Sequence, residues 1–292
     1  MKRDNEPVQG DFDTIVPWWS ITKTVLASTV LKLVDEGKLS LENKYKDHTG
    51  TIKPYTIRQL LQHTAGLNTY GGQTYCAAVE TGDDVWSVKE LLKRARVDKL
   101  VFQPGKGWAY SNIGYLFIRL LIEETMQMEI GQALQHIVFE PMGISKTQIA
   151  KTPNDMRKTI WGHTTNYDPR WVYHGLLIGP PSDAVIFLNQ ILNKGFLSKS
   201  SQDAMREIYS IGGKVEGRPW ASTGYGLGLM IGEMKDVGLA IGHSGAGHDS
   251  VSALYCFPDT PTRTIIAVFA QGADEGLTEH EAVRLALNVK GI

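Results

Sequence analysis

The feature that most constrains the fold is a change of character two-thirds of the way along the chain. Up to about residue 195 the sequence carries helical spacing and helix caps. Beyond it, Tyr225 to Met234, Val237 to His243, Ser250 to Phe257 and Arg263 to Ala270 are short runs rich in β-branched, aromatic or glycine residues, parted by turn residues such as Pro258-Asp259-Thr260-Pro261. Consecutive short strands joined by tight turns pair antiparallel, whereas a doubly wound parallel sheet needs a crossover helix between strands. The pattern predicts an α+β fold, an antiparallel β-sheet flanked by helices.

Helix signals are specific. After Ser20, the residues Ile21, Val25, Ser28, Thr29 and Leu33 recur at helical spacing and Gly37 supplies a stop, so a helix opens at or near Ser20. Thr56 to Gln59, Ser87 to Glu90 and Thr278 to Glu281 each match a capping box, predicting three further helix starts. Further helices are expected from about Asn112 to Thr125, Ile130 to Phe139 and Ser182 to Asn193.

The 292 residues, 42% hydrophobic and 21% charged, suffice for a sizeable core, and the formal net charge of −1 provides no field for a run of phosphates or an anionic membrane surface. Nucleic acid and membrane are therefore not expected partners. Met1 to Gly10 is polar and no stretch reaches membrane-spanning length, so the chain as given reads as cytoplasmic. Cys76 and Cys256 show no metal-type spacing, and the histidines lack the companions of a zinc site: His280-Glu281 has no second histidine, and His243 with His248 has no further ligand. No metal is expected.

Three short motifs carry chemistry. Ser20-Ile21-Thr22-Lys23 stacks a hydroxyl and an amine on one helix face, and an amine stripped of its proton by burial can activate a serine. A capping serine with a solvent-reaching lysine fits the same spacing. Tyr110-Ser111-Asn112 follows the turn Pro104 to Gly107 and opens a helix. A phenol beside a lysine ammonium can lose part of its pKa and pass protons, and the Asn112 amide can donate to a substrate carbonyl. A half-buried tyrosine with a helix-capping asparagine is the plainer reading. Gly242-His243-Ser244-Gly245-Ala246-Gly247 follows a strand, where glycines admit a substrate to the backbone and an N–H can serve an oxyanion. A glycine-rich hairpin is the plainer alternative, and His48-Thr49-Gly50 shows that similar tripeptides recur without purpose.

In this order the three motifs resemble those of the serine β-lactamase and penicillin-binding-protein superfamily, especially its class C β-lactamase and carboxylesterase branch. Thr56 to Leu67, Phe139 to Ile144 and Gly224 to Gly228 resemble further family segments, and the likeness runs from about Phe12 to the C-terminal helix. The resemblance implies a single β-lactamase-like catalytic domain over 1–292, with a mainly helical lobe at approximately 45–180 between the nucleophile helix and the sheet. It makes Ser20 the acylated nucleophile, Lys23 its base and Tyr110 the proton relay. Asn112, His243, Ser244 and Gly245 would bind substrate, and the backbone N–H groups of Ser20 and Ala246 would form the oxyanion hole. No cofactor is implied. The expected activity is hydrolysis of a small ester or amide, a class that includes β-lactams and D-amino-acid amides.

Three departures qualify this expectation. Only nineteen residues precede Ser20, so the family's N-terminal strands are expected to be missing, and a homo-oligomer would cover the exposed edge. His243 replaces the usual lysine of the third motif, giving a weaker, pH-dependent charge for a substrate carboxylate. Trp18 and Trp19 stand where small residues are usual, and they line an acyl pocket, obstruct it, or belong to the core. Two rival readings stay open: a shortened, non-catalytic relative acting as a binding protein, and an α/β-hydrolase-type esterase with Ser244 as nucleophile and His280 as base.

Overall fold

Helix α1 (Ile21–Asp35) sits at the centre of the molecule, buried nearly all round: Ile21, Val25, Leu26, Val30, Leu31 and Leu33 are fully buried, and Thr22, Thr24, Ser28 and Thr29 are buried beside them. Each such apolar side chain contributes about 1.5–3 kcal/mol on leaving water, enough for the helix to carry a buried lysine. The computed structural model describes residues 2–3, 6–7, 11–47, 49–162 and 167–288. Of the polar N-terminal stretch only residues 2–3 and 6–7 are included, and His48 lies outside the described residues.

Strands β1 (Lys2–Arg3) and β2 (Glu6–Pro7) pair as a short hairpin, and β3 (Val16–Pro17) leads into α1. These are the strands ahead of α1 among the described residues. A second hairpin, β4 (Lys44–Lys46) and β5 (Ile52–Thr56), runs into α2 (Ile57–Leu61), whose Thr56 and Gln59 form the expected reciprocal capping box. Then follow α3 (Gln73–Thr81), α4 (Val88–Arg94), α5 (Asn112–Met126) and α6 (Ile130–Leu134). The helix expected to run to Phe139 widens into a π-helical turn over Gln135–Phe139 before α7 (Glu140–Met142), where Pro141 cannot donate to a regular helical ladder. After β6 (Gln148–Ile149) and α8 (Pro153–Met156), strand β7 (Leu177–Gly179) lies between β3 and β6, and α9 (Pro181–Asn193) and α10 (Lys199–Arg206) follow.

The main sheet has six antiparallel strands in simple sequential order: β8 (Tyr209–Gly212), β9 (Thr223–Tyr225), β10 (Met230–Met234), β11 (Gly238–Gly247), β12 (Ser250–Phe257) and β13 (Thr264–Gln271). The run expected as one strand from Tyr225 to Met234 is two, because Gly226 to Leu229 turns: Gly226 N–H bonds the Leu229 carbonyl at 2.8 Å and Gly228 takes φ +73°. A Cβ on Gly228 would fall 2.4 Å from that of Ala27, and Thr24 donates to the Gly228 carbonyl, so the turn rests on α1.

Both faces of the sheet are covered. Helix α11 (Glu275–Leu287) packs on one face of β11–β13, and α1 and α9 pack on the other. Strand β12 is accordingly buried at every position, with Leu254 and Cys256 in the core of α1 and Tyr255 and Phe257 in that of α11. The predicted helix start at Thr278 is corrected: Asp274 caps α11 by accepting from Gly276 N–H, and Thr278 lies inside the helix, bonded to the Glu275 carbonyl. Among the described residues, no helix is long and apolar enough to cross a membrane.

Candidate active site

Ser20 stands on a backbone corner built by its two neighbours. Trp18 N–H bonds the Leu177 carbonyl at 2.9 Å and its indole bonds the Gly179 carbonyl, tying the corner to β7. Trp19 takes φ 45°, and its indole reaches Ser250 Oγ at 2.8 Å, tying the corner to β12. Trp18 is thus a core residue, whereas Trp19 also lines a cavity beside Ser20. Strand β11 passes so close that a Cβ on Gly245 would lie 2.7 Å from Ser20 N, and one on Gly247 would strike the Trp19 ring.

Ser20 takes the N-cap position of α1, yet its side chain makes no cap hydrogen bond. Its Oγ lies 2.9 Å from Lys23 Nζ instead, and Lys23 has 0% exposure, so the solvent-reaching lysine does not describe this chain. Burial drives the lysine pKa far below its ordinary value, with Glu275 pulling only weakly the other way. Burial thus favours the neutral, basic form of the amine. The α1 N-terminus beneath it favours negative charge on Ser20.

Tyr110 lines the same cavity as Ser20, and Lys23 Nζ lies 5.0 Å from the centre of its ring. The expected lowering of the phenol pKa is corrected. Burial raises it beyond the ordinary tyrosine range, and the nearby Ser20 hydroxyl offsets only part. Burial thus favours the protonated phenol over the phenolate. Ser111, not Asn112, caps α5, and Asn112 lines the cavities on both sides of Ser20.

Strand alternation sorts the third motif. His243 and Gly245 face α1, while Ser244, fully buried, faces α11, where its hydroxyl donates to Glu279 Oε1 at 2.5 Å and meets Tyr255 OH at 2.7 Å. The Ser244 side chain therefore does not join Asn112 and His243 at the cleft, which corrects its expected substrate-binding role. As a nucleophile it also lacks a base, since His280 is exposed and bonded to the Gly217 carbonyl. His243 Nδ1 sits against the Ser244 carbonyl, which can only accept, so Nδ1 carries the proton and Nε2 takes the Tyr225 hydroxyl at 2.9 Å. Burial lowers its pKa to about 3. The pH-dependent charge expected of His243 is thus absent in the neutral range. Ala246 lines both cavities beside Ser20.

Several site residues gave no sequence signal. His174, from the loop before β7, places Nε2 3.2 Å from Lys23 Nζ and Nδ1 3.3 Å from Tyr70 OH, which accepts from Tyr173 N–H at 3.0 Å. Burial lowers the His174 pKa well below normal. His63 accepts from Ser111 N–H at 3.1 Å and packs its ring 4.4 Å from that of Tyr110, so the segment Thr56 to Leu67 positions the tyrosine motif. Arg218 and Glu275 line the cavity on the His243 side, about 390 Å³, and a second cavity of about 540 Å³ opens on the His174 side. Burial raises the Glu275 pKa against the pull of Arg218.

A family model described as Beta-lactamase matches residues 1–289. The chain belongs to the Beta-lactamase family. It is 26% identical over 260 residues to penicillin-binding protein 4* of Bacillus subtilis (strain 168), covering 77% of this chain and 54% of that protein. It is 28% identical over 148 residues to esterase EstB of Burkholderia gladioli, covering 45% of this chain and 38% of that protein. The chain thus spans about half or less of the length of these curated relatives. The structure of a D-stereospecific amidohydrolase from Streptomyces sp. superposes with a TM-score of 0.76 at 23% identity, over 96% of this chain and 88% of that one. The octameric penicillin-binding protein homologue of Pyrococcus abyssi gives 0.74 at 23%, over 94% and 66%. These likenesses establish the β-lactamase/transpeptidase-like fold.

Proposed function

We propose that this family member is a serine hydrolase that cleaves a small ester or amide through an acyl-Ser20 intermediate. The observation that carries the reading is a fully buried lysine amine, its pKa lowered by burial, 2.9 Å from an uncapped serine hydroxyl. Lys23 takes the Ser20 proton as Oγ attacks the carbonyl carbon. The Ser20 and Ala246 N–H groups hold the oxyanion, and Asn112 orients the carbonyl. The new Lys23 ammonium donates to His174 Nε2, whose Nδ1–H donates to Tyr70. Tyr110 hands its proton to the departing oxygen or nitrogen and is refilled from Lys23. Water then attacks the ester carbon, its proton passing through Tyr110, and Ser20 is released.

Esterase, D-amino-acid amidohydrolase and penicillin-binding protein all occur among the similar proteins, which supports acyl transfer as the class. Intact-protein mass spectrometry after exposure to a fluorophosphonate, p-nitrophenyl esters, β-lactams and D-amino-acid amides tests the reading. An adduct on wild type and none on Ser20→Ala is expected. No adduct from any reagent on folded protein would leave the non-catalytic binding protein standing. Homo-oligomerisation belongs to the same proposal, supported by the octameric fold neighbour, and light scattering at working concentration checks it.

A further inference from the structure

Resting on the hydrolase reading, we infer that the cleft excludes a free carboxylate on either side of Ser20, so that the substrates are esters or amides whose groups there are uncharged or cationic. The charges lining the two cavities carry the inference. On the His243 side the cation is Arg218, and it is already committed: NH1 bonds Glu275 at 2.8 Å, Nε bonds Glu279 at 2.6 Å, and NH2 contacts the same Glu279. One guanidinium against two carboxylates leaves an excess of negative charge. His243 has its Nδ1–H spent on a backbone carbonyl and its Nε2 on Tyr225, so the ring offers neither a positive charge nor a spare donor.

On the His174 side the lining carries Glu80 and Asp249, and its histidines are His174, engaged with Lys23 and Tyr70, and His248, which contacts Asp249 at 3.2 Å. Among the described residues, no lysine or arginine lines that cavity. Lys23 is the cation nearest the reacting centre, and as the base it works uncharged. A substrate carboxylate would surrender its water and meet an excess of like charge and neutral dipoles, whereas an amide or an ammonium of the same size would not.

The test uses matched aryl acetates whose leaving groups carry a 3-carboxylate, a 3-carboxamide or a 3-aminomethyl group, and p-nitrophenyl benzoates carrying the same three groups at the 4-position. The rate of Ser20 acylation is read on the alkaline side, at pH 8, because burial raises the Glu275 pKa, and is divided by each ester's hydroxide rate. The carboxylates are expected to fall about tenfold or more below the carboxamides in both series, and the aminomethyl esters are not. Glu275→Gln is expected to narrow the leaving-group or the acyl gap by about threefold, whichever group enters that cavity. A carboxylate acylating as fast as its carboxamide overturns the inference, and gaps left intact by Glu275→Gln overturn the role of Glu275. If no ester acylates Ser20, the hydrolase reading falls. The charge preference is then read from calorimetric binding of the same esters to Ser20→Ala, where tighter carboxylate binding refutes it.

Discussion

The two faces of β11 each bury an ionisable side chain at 0% exposure, and they treat it in opposite ways. Toward α11, Glu279 is surrounded by donors: two nitrogens of Arg218, the Trp220 indole at 3.1 Å, Ser244 Oγ and Tyr255 OH at 3.2 Å. Toward α1, Lys23 meets a serine hydroxyl, a histidine and the ring of a tyrosine, and among the described residues no carboxylate pairs with it. A buried charge that is fully paired holds structure together, and one left without a counter-ion sheds its proton and becomes reactive. The first arrangement ties β11 and β12 to α11, and the second prepares a base.

Substituting both groups separates these roles. Lys23→Met is expected to lower Ser20 acylation by at least about a thousandfold, measured as the fluorophosphonate labelling rate. It should raise stability at pH 7. In the unfolded chain the lysine binds a proton up to its ordinary pKa, and in the fold it releases that proton far lower. Wild-type stability therefore climbs with pH across this window, and Lys23→Met removes the climb, as melting curves from pH 7 to 10 would record. Glu279→Gln should do the reverse, costing about 3–5 kcal/mol in urea unfolding because Arg218 loses its buried partner. Acylation per folded molecule should survive. A Lys23→Met protein less stable than wild type, or a Glu279→Gln protein folded but inert, would erase the contrast.

The fold was legible because its signals are local. The capping box at Thr56, the stop at Gly37 and the strands near residues 238–271 follow from spacing and turn chemistry, and Ser20 with Lys23 needs only one helical turn. What stayed hidden depends on distant chain. His174 is separated from Lys23 by 151 positions, and no neighbour of His174 in sequence marks it. The Tyr225 to Met234 split was unreadable because the turn is imposed by contact with Ala27 on α1. Ser244 could be assigned to a face only once the register of β11 was known, since a one-residue slip exchanges the faces. The direction of the Tyr110 shift likewise turned on burial, which a linear motif does not report.

His174 sharpens the comparison from the reactive side. Neutral His174 can accept from Lys23 once that amine becomes an ammonium, an acceptor that Phe lacks. His174→Phe should therefore lower the acylation plateau by about 10–100-fold and move the acid limb of the pH–rate profile to lower pH, because the charged lysine loses its acceptor. His174→Gln, which restores an acceptor, should recover part of both. A lower plateau with an unmoved limb would reduce His174 to packing.

The smallest effect concerns His243. With its pKa lowered to about 3, it changes charge only well below the acid limb expected from ordinary histidine titration. KM for an uncharged ester should then stay within about twofold between pH 5 and 8, while kcat follows Lys23. The sign is fixed by the hydrogen bonds: Nδ1–H is held by a backbone carbonyl that cannot move away without breaking the β11 ladder, and charging the ring would turn Nε2 from acceptor to donor against Tyr225. A KM that changes tenfold near pH 6.5 would mean that the ring does charge in the folded protein, and the α1-facing side of β11 would then hold two titrating groups instead of one.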